Sequence, residues 1–258
     1  MTSADRTVIA FDLYGTLLST ESIAKELATH CKCGHEKAQE IAALWRRYQL
    51  EYTWRLNSMS LYKDFSTITN LSLKHDLVES SVTLTAKAVA SLMHAYDSLG
   101  TFPDVPPALE ALQSSLTIDA YIFSNGTNSM VSTSVKSSPP ISPYHAVFKD
   151  LITVEEVQAY KPDLRTYQHL AQKVGKDCKD KQDLGSIWLV SGNPFDIVGA
   201  RSAGFQAAWV DRIGKGWCDR LGDAAGGGPT IVVGGVEQAV RGIEKWVEDR
   251  GKEKQKGN

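Results

Sequence analysis

The sequence predicts an α/β fold, a doubly wound parallel sheet with a helical segment inserted after its first strand. Three observations predict it. Short runs apolar on both faces recur along the chain, the pattern of strands buried in a parallel sheet. Helix-period stretches separate them, which implies βαβ crossovers with helices on both faces of the sheet. Residues 19–101 break this alternation and carry helical pattern alone.

The first strand is "TVIAFDL" (7–13). In the segment that follows, "EKAQEIAALWRRYQLEYTWRL" (36–56) places Ile41, Leu44, Trp45 and Tyr48 on one helical face, and "SSVTLTAKAVASLMHAY" (80–96) suggests a second helix. The expected division is therefore a core of residues 1–18 and 102–258 and a helical cap of 19–101 over the sheet's edge. Within the core, strands are expected at "IDAYIFS" (118–124), "SIWLVS" (186–191) and "QAAWV" (206–210), with "TIVV" (230–233) as a fifth. Helices are expected at "PPALEALQSSL" (106–116), "LRTYQHLAQKVG" (164–175), "FDIVGARSAG" (195–204) and "VEQAVRGIEKWVEDR" (236–250). Gly175 and Gly204 suit the left-handed residue just past a helix end. "SSPPISPY" (137–144) reads as a loop. "GDAAGGGP" (222–229) lacks the spacing of a phosphate-binding loop and reads as a flexible connection. The tail "EDRGKEKQKGN" is expected to fray.

Composition narrows the partners. The 258 residues allow one large domain or a core with a smaller companion, and a hydrophobic share of 42% with 22% charged is ordinary for a globular chain. A net charge of −2 supplies no field for nucleic acid or an anionic membrane surface, so neither is expected as a partner. No apolar stretch approaches the roughly 20 residues of a membrane span. Four scattered cysteines, Cys31, Cys33, Cys178 and Cys218, make no disulfide framework, and "MTSADRTVIAFD" lacks the pattern of a secretory leader; a reducing, cytosolic setting is expected. "HCKCGH" (30–35) lacks the spacing of zinc ligands and is not expected to bind metal.

Functional groups of a parallel sheet collect beyond the carboxyl ends of its strands. Polar groups stand at four such places: Asp12, Ser124 with Asn125, Lys161, and Ser191 with Asn193 and Asp196. A single strand-terminal Asp commonly closes a turn, Thr16 suits a helix N-cap and Ser191 a turn. Four together are not explained by turn chemistry.

"FDLYGT", "FSNGT", "YKPDLRTY" and "SGNPFDIVGAR" resemble the four motifs of the haloacid dehalogenase superfamily, and more narrowly those of its type II (S)-2-haloacid dehalogenases. "ALWRRYQLEYTW" (43–54) is similar to that subgroup's lid helix, and the likeness spans roughly residues 7–212. It implies a Rossmann-like core, a helical cap and a homodimer. Phosphatases of the superfamily carry an acid two residues after the nucleophile and use Mg²⁺. Here that place holds Tyr14, a phenol ill suited to protonating an alcohol at neutral pH, and Ser191 stands where a metal-binding carboxylate would be. A halide leaves as a stable anion and needs neither acid nor metal, so no cofactor is expected. The resemblance thus implies that Asp12 attacks the halogen-bearing carbon of a short (S)-2-haloacid, forming an ester that water hydrolyses to an (R)-2-hydroxy acid.

The same resemblance implies the remaining roles. Lys161 offsets the charge of Asp12 and Asp196, and Asp196 with Lys161 activates the water. Thr16, Ser191 and Asn193 orient Asp12 and the water, and Tyr167 joins that network. Ser124 and backbone N–H groups near Leu13, Tyr14 and Asn125 hold the substrate carboxylate. Arg46 and Asn125 receive the halide, while Leu50, Phe65 and Phe195 surround the alkyl part. Arg47, Pro194 and Phe195 depart from the subgroup's pattern, and nothing after residue 212 matches it. A Mg²⁺-dependent small-molecule phosphatase is the alternative activity, and a binding protein that has kept the fold is a third reading that the intact residue set disfavours.

Overall fold

The computed structural model describes residues 6–256. Six parallel strands form one sheet: β1 (Thr7–Phe11), β2 (Ile118–Ser124), β3 (Phe148–Thr153), β4 (Ile187–Ser191), β5 (Gln206–Val210) and β6 (Ile231–Val233). Their order is β3-β2-β1-β4-β5-β6, all neighbours parallel. The chain builds outward from β1 to β3, then crosses back to place β4 on the other side of β1. That reversal opens a crevice at the carboxyl ends of β1, β2 and β4. Ile9, Ala10, Phe11, Ile122, Phe123, Leu189 and Val190 are fully buried in the middle of the sheet, as expected for strands covered on both faces.

β3 answers to no sequence expectation. It is an edge strand in which Lys149 and Asp150 are exposed, so "FKDLIT" lacks the double-sided apolar run that marks the inner strands.

Four helices make up the segment inserted after β1: α1 (Ala24–Cys31), α2 (His35–Ser58), α3 (Phe65–Glu79) and α4 (Ala86–Tyr96). The helix expected over 80–96 starts only at Ala86, where the Thr85 hydroxyl caps the Ala88 N–H at 3.2 Å. Asp64 caps α3 in the same way through Thr67. The chain leaves and re-enters the core at one place, where Leu18 bridges Thr101 antiparallel and Ser19 N–H donates to Gly100 O at 2.7 Å.

The core helices are α5 (Val105–Ser114), α6 (Asn128–Ser137), α7 (Leu164–Lys173), α8 (Lys181–Leu184), α9 (Pro194–Ser202) and α10 (Val236–Lys256). Gly175 and Gly204 follow α7 and α9 with φ of +74° and +94°, as their positions predicted. The tail expected to fray continues α10 to Lys256, and its last two residues lie outside the described ones.

The Gly-rich stretch is not a slack connection. Leu221–Ala224 forms a 3-10 turn closed by Gly227 N–H to Gly222 O at 2.8 Å. A Cβ on Gly226 would stand 2.7 Å from the Ser202 backbone, and one on Gly228 would stand 2.9 Å from Trp217 Nε1. The glycines are there because the loop packs directly on the end of α9 and on an indole. Among the described residues no helix is long and apolar enough to cross a membrane.

Candidate active site

Asp12 is the residue after β1 and the next but one before Tyr14, and its carboxylate lies in the crevice with 5% residue exposure. Two strand-end turns and one long loop converge on it. Thr16 Oγ1 and Asn193 Nδ2 each donate to Asp12 Oδ2 at 2.7 Å. Lys161 Nζ donates to Asp12 Oδ1 at 2.8 Å, to Asp196 Oδ2 at 2.6 Å and to Phe123 O at 3.1 Å. Tyr167 OH closes the chain by donating to Asp196 Oδ1 at 2.8 Å. Lys161, Tyr167 and Asp196 are buried.

Two carboxylates around one ammonium leave an excess negative charge in a dry place. Burial by itself would push the Lys161 ammonium down; the adjacent Asp12 and Asp196 carboxylates outweigh it and hold the group above the usual lysine range. Burial pushes the Asp196 carboxyl up, and the nearby Asp12 charge adds to this while Lys161 and Tyr167 oppose it. Asp196 is thereby a stronger base than a solvated carboxylate. Burial also raises the Tyr167 phenol well above its ordinary value, so it acts as a neutral donor.

Close backbone approaches make the cluster possible. Gly15 adopts φ +87°, turning the chain between Tyr14 and Thr16. A Cβ on Gly192 would lie 2.5 Å from Gly15 O, and one on Gly199 would lie 2.7 Å from Pro162 Cβ and collide with the Tyr167 hydroxyl. These glycines hold α9 and the turn before it against the Asp12 loop and let Tyr167 reach Asp196. Neither was singled out from sequence, although "SGN" and "IVGAR" contain them.

The inserted helices reach the same place. Arg46 Nη2 donates to Tyr14 O at 3.1 Å and lies 3.4 Å from Asn193 Oδ1, while Nη1 donates to Gln49 Oε1 at 2.7 Å. Gln49, unremarked in the sequence, is fully buried and also takes the Tyr96 hydroxyl at 3.0 Å and donates to Thr69 at 2.7 Å. Tyr14 packs between Phe65 and Tyr96, ring centroids 5.6 and 5.7 Å away, and burial pushes its phenol up. Asn57 pins α2 to the Lys161 loop, exchanging hydrogen bonds of 2.6 and 2.9 Å with the Tyr160 backbone.

The remaining expected residues occupy distinct positions. Ser124 is buried and its hydroxyl accepts the Gly126 N–H at 3.0 Å; the Asn125 carbonyl accepts the Lys161 N–H at 2.9 Å. Ser191 accepts the Asn193 N–H at 3.1 Å, so it steadies Asn193 and has no hydrogen bond to Asp12 itself. Leu13 is buried and Leu50 half-buried. Phe195 packs edge-on to Trp54 at 5.4 Å, on the flank of the crevice and not against Tyr14. Arg47 is exposed over the Tyr48 ring.

Magnesium does not fit this donor set. Both Asp12 oxygens are engaged by an ammonium, a hydroxyl and an amide, and the second carboxylate lies on the far side of that ammonium. A hard divalent ion requires several oxygen ligands in near-octahedral array. Among the described residues no three acidic, His or Cys side chains converge for one.

Comparison with known proteins accords with this geometry. The haloacid dehalogenase-like hydrolase family matches residues 7–204. An (S)-2-haloacid dehalogenase of Pseudomonas sp. strain YL is 34% identical, with 80% of this chain and 83% of that protein aligned. (S)-2-haloacid dehalogenase H-109 of Pseudomonas putida is 33% identical over 83% of this chain and 89% of its own. A solved L-2-haloacid dehalogenase superposes with a TM-score of 0.79 at 27% identity, covering 93% of this chain and 98% of its own. The chain belongs to the haloacid dehalogenase-like hydrolases.

Proposed function

We propose that the protein hydrolyses the carbon–halogen bond of short (S)-2-haloalkanoic acids, releasing halide and an (R)-2-hydroxy acid. The observation that carries this reading is the state of Asp12: its carboxylate is oriented by Thr16 and Asn193 and paired with a buried ammonium, with the phenol of Tyr14 where a phosphatase needs an acid. An Asp12 oxygen attacks C2 and the halide departs with the bonding electrons, inverting the carbon and leaving an aspartyl ester. Water then attacks the ester's carbonyl carbon and gives its proton to Asp196. The carbonyl carbon–oxygen bond breaks, Asp196 returns its proton to the departing alkoxide oxygen, and the hydroxy acid leaves with the oxygen that Asp12 supplied, the second proton of the water being lost as the Asp12 carboxylate re-forms.

Ser124, Asn125 and the backbone N–H groups of Leu13 and Tyr14 hold the substrate carboxylate, which offsets repulsion between two anions. Arg46 and the Asn125 amide receive the halide. Tyr14, Leu50, Phe65 and Phe195 border the alkyl part, and the packing of Phe65 on Tyr14 supports this side of the pocket. Residues 19–101 act as a cap over a core of 1–18 and 102–258; the Leu18–Thr101 bridge, where the chain leaves and re-enters the core, supports this division. A homodimer forms through the inserted helices, with α2 contributing to the contact. The protein works in a reducing, cytosolic setting, for which four free cysteines speak.

The test is halide release from both enantiomers of 2-chloropropionate in EDTA, with wild type and Asp12→Ala. Release from the (S) form alone, abolished in the variant, is expected. A single turnover in ¹⁸O-water leaves the product hydroxyl unlabelled; labelled product would mean direct attack by water and sink the ester mechanism. Phosphate release that depends on added Mg²⁺ would restore the phosphatase alternative.

A further inference from the structure

A second apolar space flanks the crevice. It is a groove of about 590 Å³ walled by Trp54 of α2, Pro162, Phe195 and Val198 of α9, and Leu221 of the Gly-rich loop. That volume lies within the range of small-molecule sites. Trp54 is 40% and Leu221 64% exposed, so both present unspent apolar surface to it.

The groove adjoins the segments that carry the reacting centre. Pro162 and Phe195 are the chain neighbours of Lys161 and Asp196. On α2, Arg46, Leu50, Trp54 and Asn57 recur at helical spacing and so share one face. The first hydrogen-bonds at the Tyr14 carbonyl and the last at the Tyr160 backbone, which shows that this face looks onto the core. Eight residues separate Arg46 from Trp54, about 12 Å along the helix. The stripe thus runs from the place assigned to the halide, past Leu50, into the groove.

The outer wall lies beyond the family match, which ends at residue 204, and packs on α9. Asp219 Oδ1 accepts the Leu221 N–H at 2.8 Å, and the close approach of Gly226 to Ser202 sets the loop against α9. Of the two acids on the rim, Asp163 accepts two hydrogen bonds from the Arg165 side chain and Asp219 accepts one from the loop itself. No cation lines the groove, so an uncharged chain suits it and a second carboxylate does not.

We propose that this groove holds the alkyl tail of a medium-chain 2-haloalkanoic acid, with Trp54 and Leu221 setting the preference for chain length. The inference rests on the dehalogenase reading and extends it from short acids to longer unbranched ones. Each methylene buried there raises kcat/KM about two- to fourfold, mainly through KM.

The experiment is a chain-length series, (S)-2-bromopropionate, -hexanoate and -octanoate, followed by bromide release with wild type, Leu221→Asp and Trp54→Ala. In wild type kcat/KM should rise at least tenfold from propionate to octanoate. The octanoate-to-propionate ratio should fall at least fivefold in Leu221→Asp, a change on an exposed side chain that the fold tolerates, and similarly in Trp54→Ala. Good turnover of propionate with a flat or falling series would overturn the inference while leaving the dehalogenase reading in place. So would an undiminished ratio in both variants. A Leu221→Asp protein whose sedimentation changes while its ratio does not would assign the groove to a second copy of the chain. Inertness toward all three acids would remove the dehalogenase reading and this inference with it.

Discussion

Asp196 in the core and Asp76 in the inserted helices are both fully buried carboxyl groups, and the protein keeps them in opposite ways. Asp196 has a cation at 2.6 Å and a phenol at 2.8 Å, so both oxygens are partnered. Asp76 has the Ser80 hydroxyl at 3.0 Å on one oxygen and no hydrogen-bond partner on the other. Burial pushes its carboxyl up to about 6. Burial pushes both carboxyl groups up; at Asp196 the Lys161 ammonium opposes this at hydrogen-bond distance, whereas at Asp76 the only hydrogen bond is from the Ser80 hydroxyl. The difference separates the region that does chemistry from the one that covers it.

The comparison breaks most visibly at the counter-charge. Lys161→Met leaves two carboxyl groups facing each other in the dry core. It should lower turnover at least a thousandfold and destabilise the protein by about 3–5 kcal/mol, read by halide release and urea unfolding. A variant as stable as wild type and active within tenfold of it would show that the ammonium is not what holds the cluster. Next in size is Tyr167→Phe, which removes one donor to Asp196 at little change of shape. Losing a hydrogen bond to a charged group, roughly 1.5–3 kcal/mol, predicts a fall in kcat of about ten- to a hundredfold, with the pH profile of kcat shifted because Asp196 becomes harder to ionise.

Asp76→Asn tests the other side and should go the opposite way. The folded-state value of about 6 lies above the ordinary aspartate value of 3.8, so the folded protein binds the proton more tightly than the unfolded chain. Stability from this group is therefore complete below the unfolded value and is lost as pH rises through 6, being constant thereafter. The variant should match wild type near pH 4 and exceed it at pH 8 by on the order of 1–2 kcal/mol, measured as urea midpoints at both values. An equal difference at both pH values would mean that Asp76 does not titrate there. The smallest effect is expected where the two regions meet: Asn57→Ala deletes two hydrogen bonds to the Tyr160 backbone and should reduce stability by about 1 kcal/mol. Its kcat should drop only severalfold as the Lys161 loop loosens, and an unchanged kcat would show that α2 does not position that loop.

Much of this was legible in the sequence, and the rest was hidden for identifiable reasons. Inner strands announce themselves because both faces are buried; β3 does not, because Lys149 and Asp150 face solvent at the sheet's edge. The Ser- and Thr-rich α6 and the mixed polar face of α3 carry weak periodicity, and packing rather than propensity makes them helical. Gln49 and Asn57 look like ordinary polar helix residues until the helix is laid against its neighbours. The resemblance makes Ser191 one of the groups that orient Asp12; its hydroxyl accepts the Asn193 N–H two residues on, and Asn193 in turn donates to Asp12. A row of glycines after residue 221 suggested slack, whereas these glycines mark contacts too close for a side chain.

By itself the chain's order of residues determined the nature of the sheet and set Asp12 at the end of its first strand with Tyr14 two places on, because periodicity is local; what those two residues imply came from the resemblance of the motifs around them. Tertiary structure alone decided that Gln49 and Asn57 face inward from α2, that Phe195 turns toward Trp54, and that a loop beyond the family match closes a groove beside them. Those outcomes depend on which distant backbones can approach within a few ångströms, and no local pattern encodes that distance.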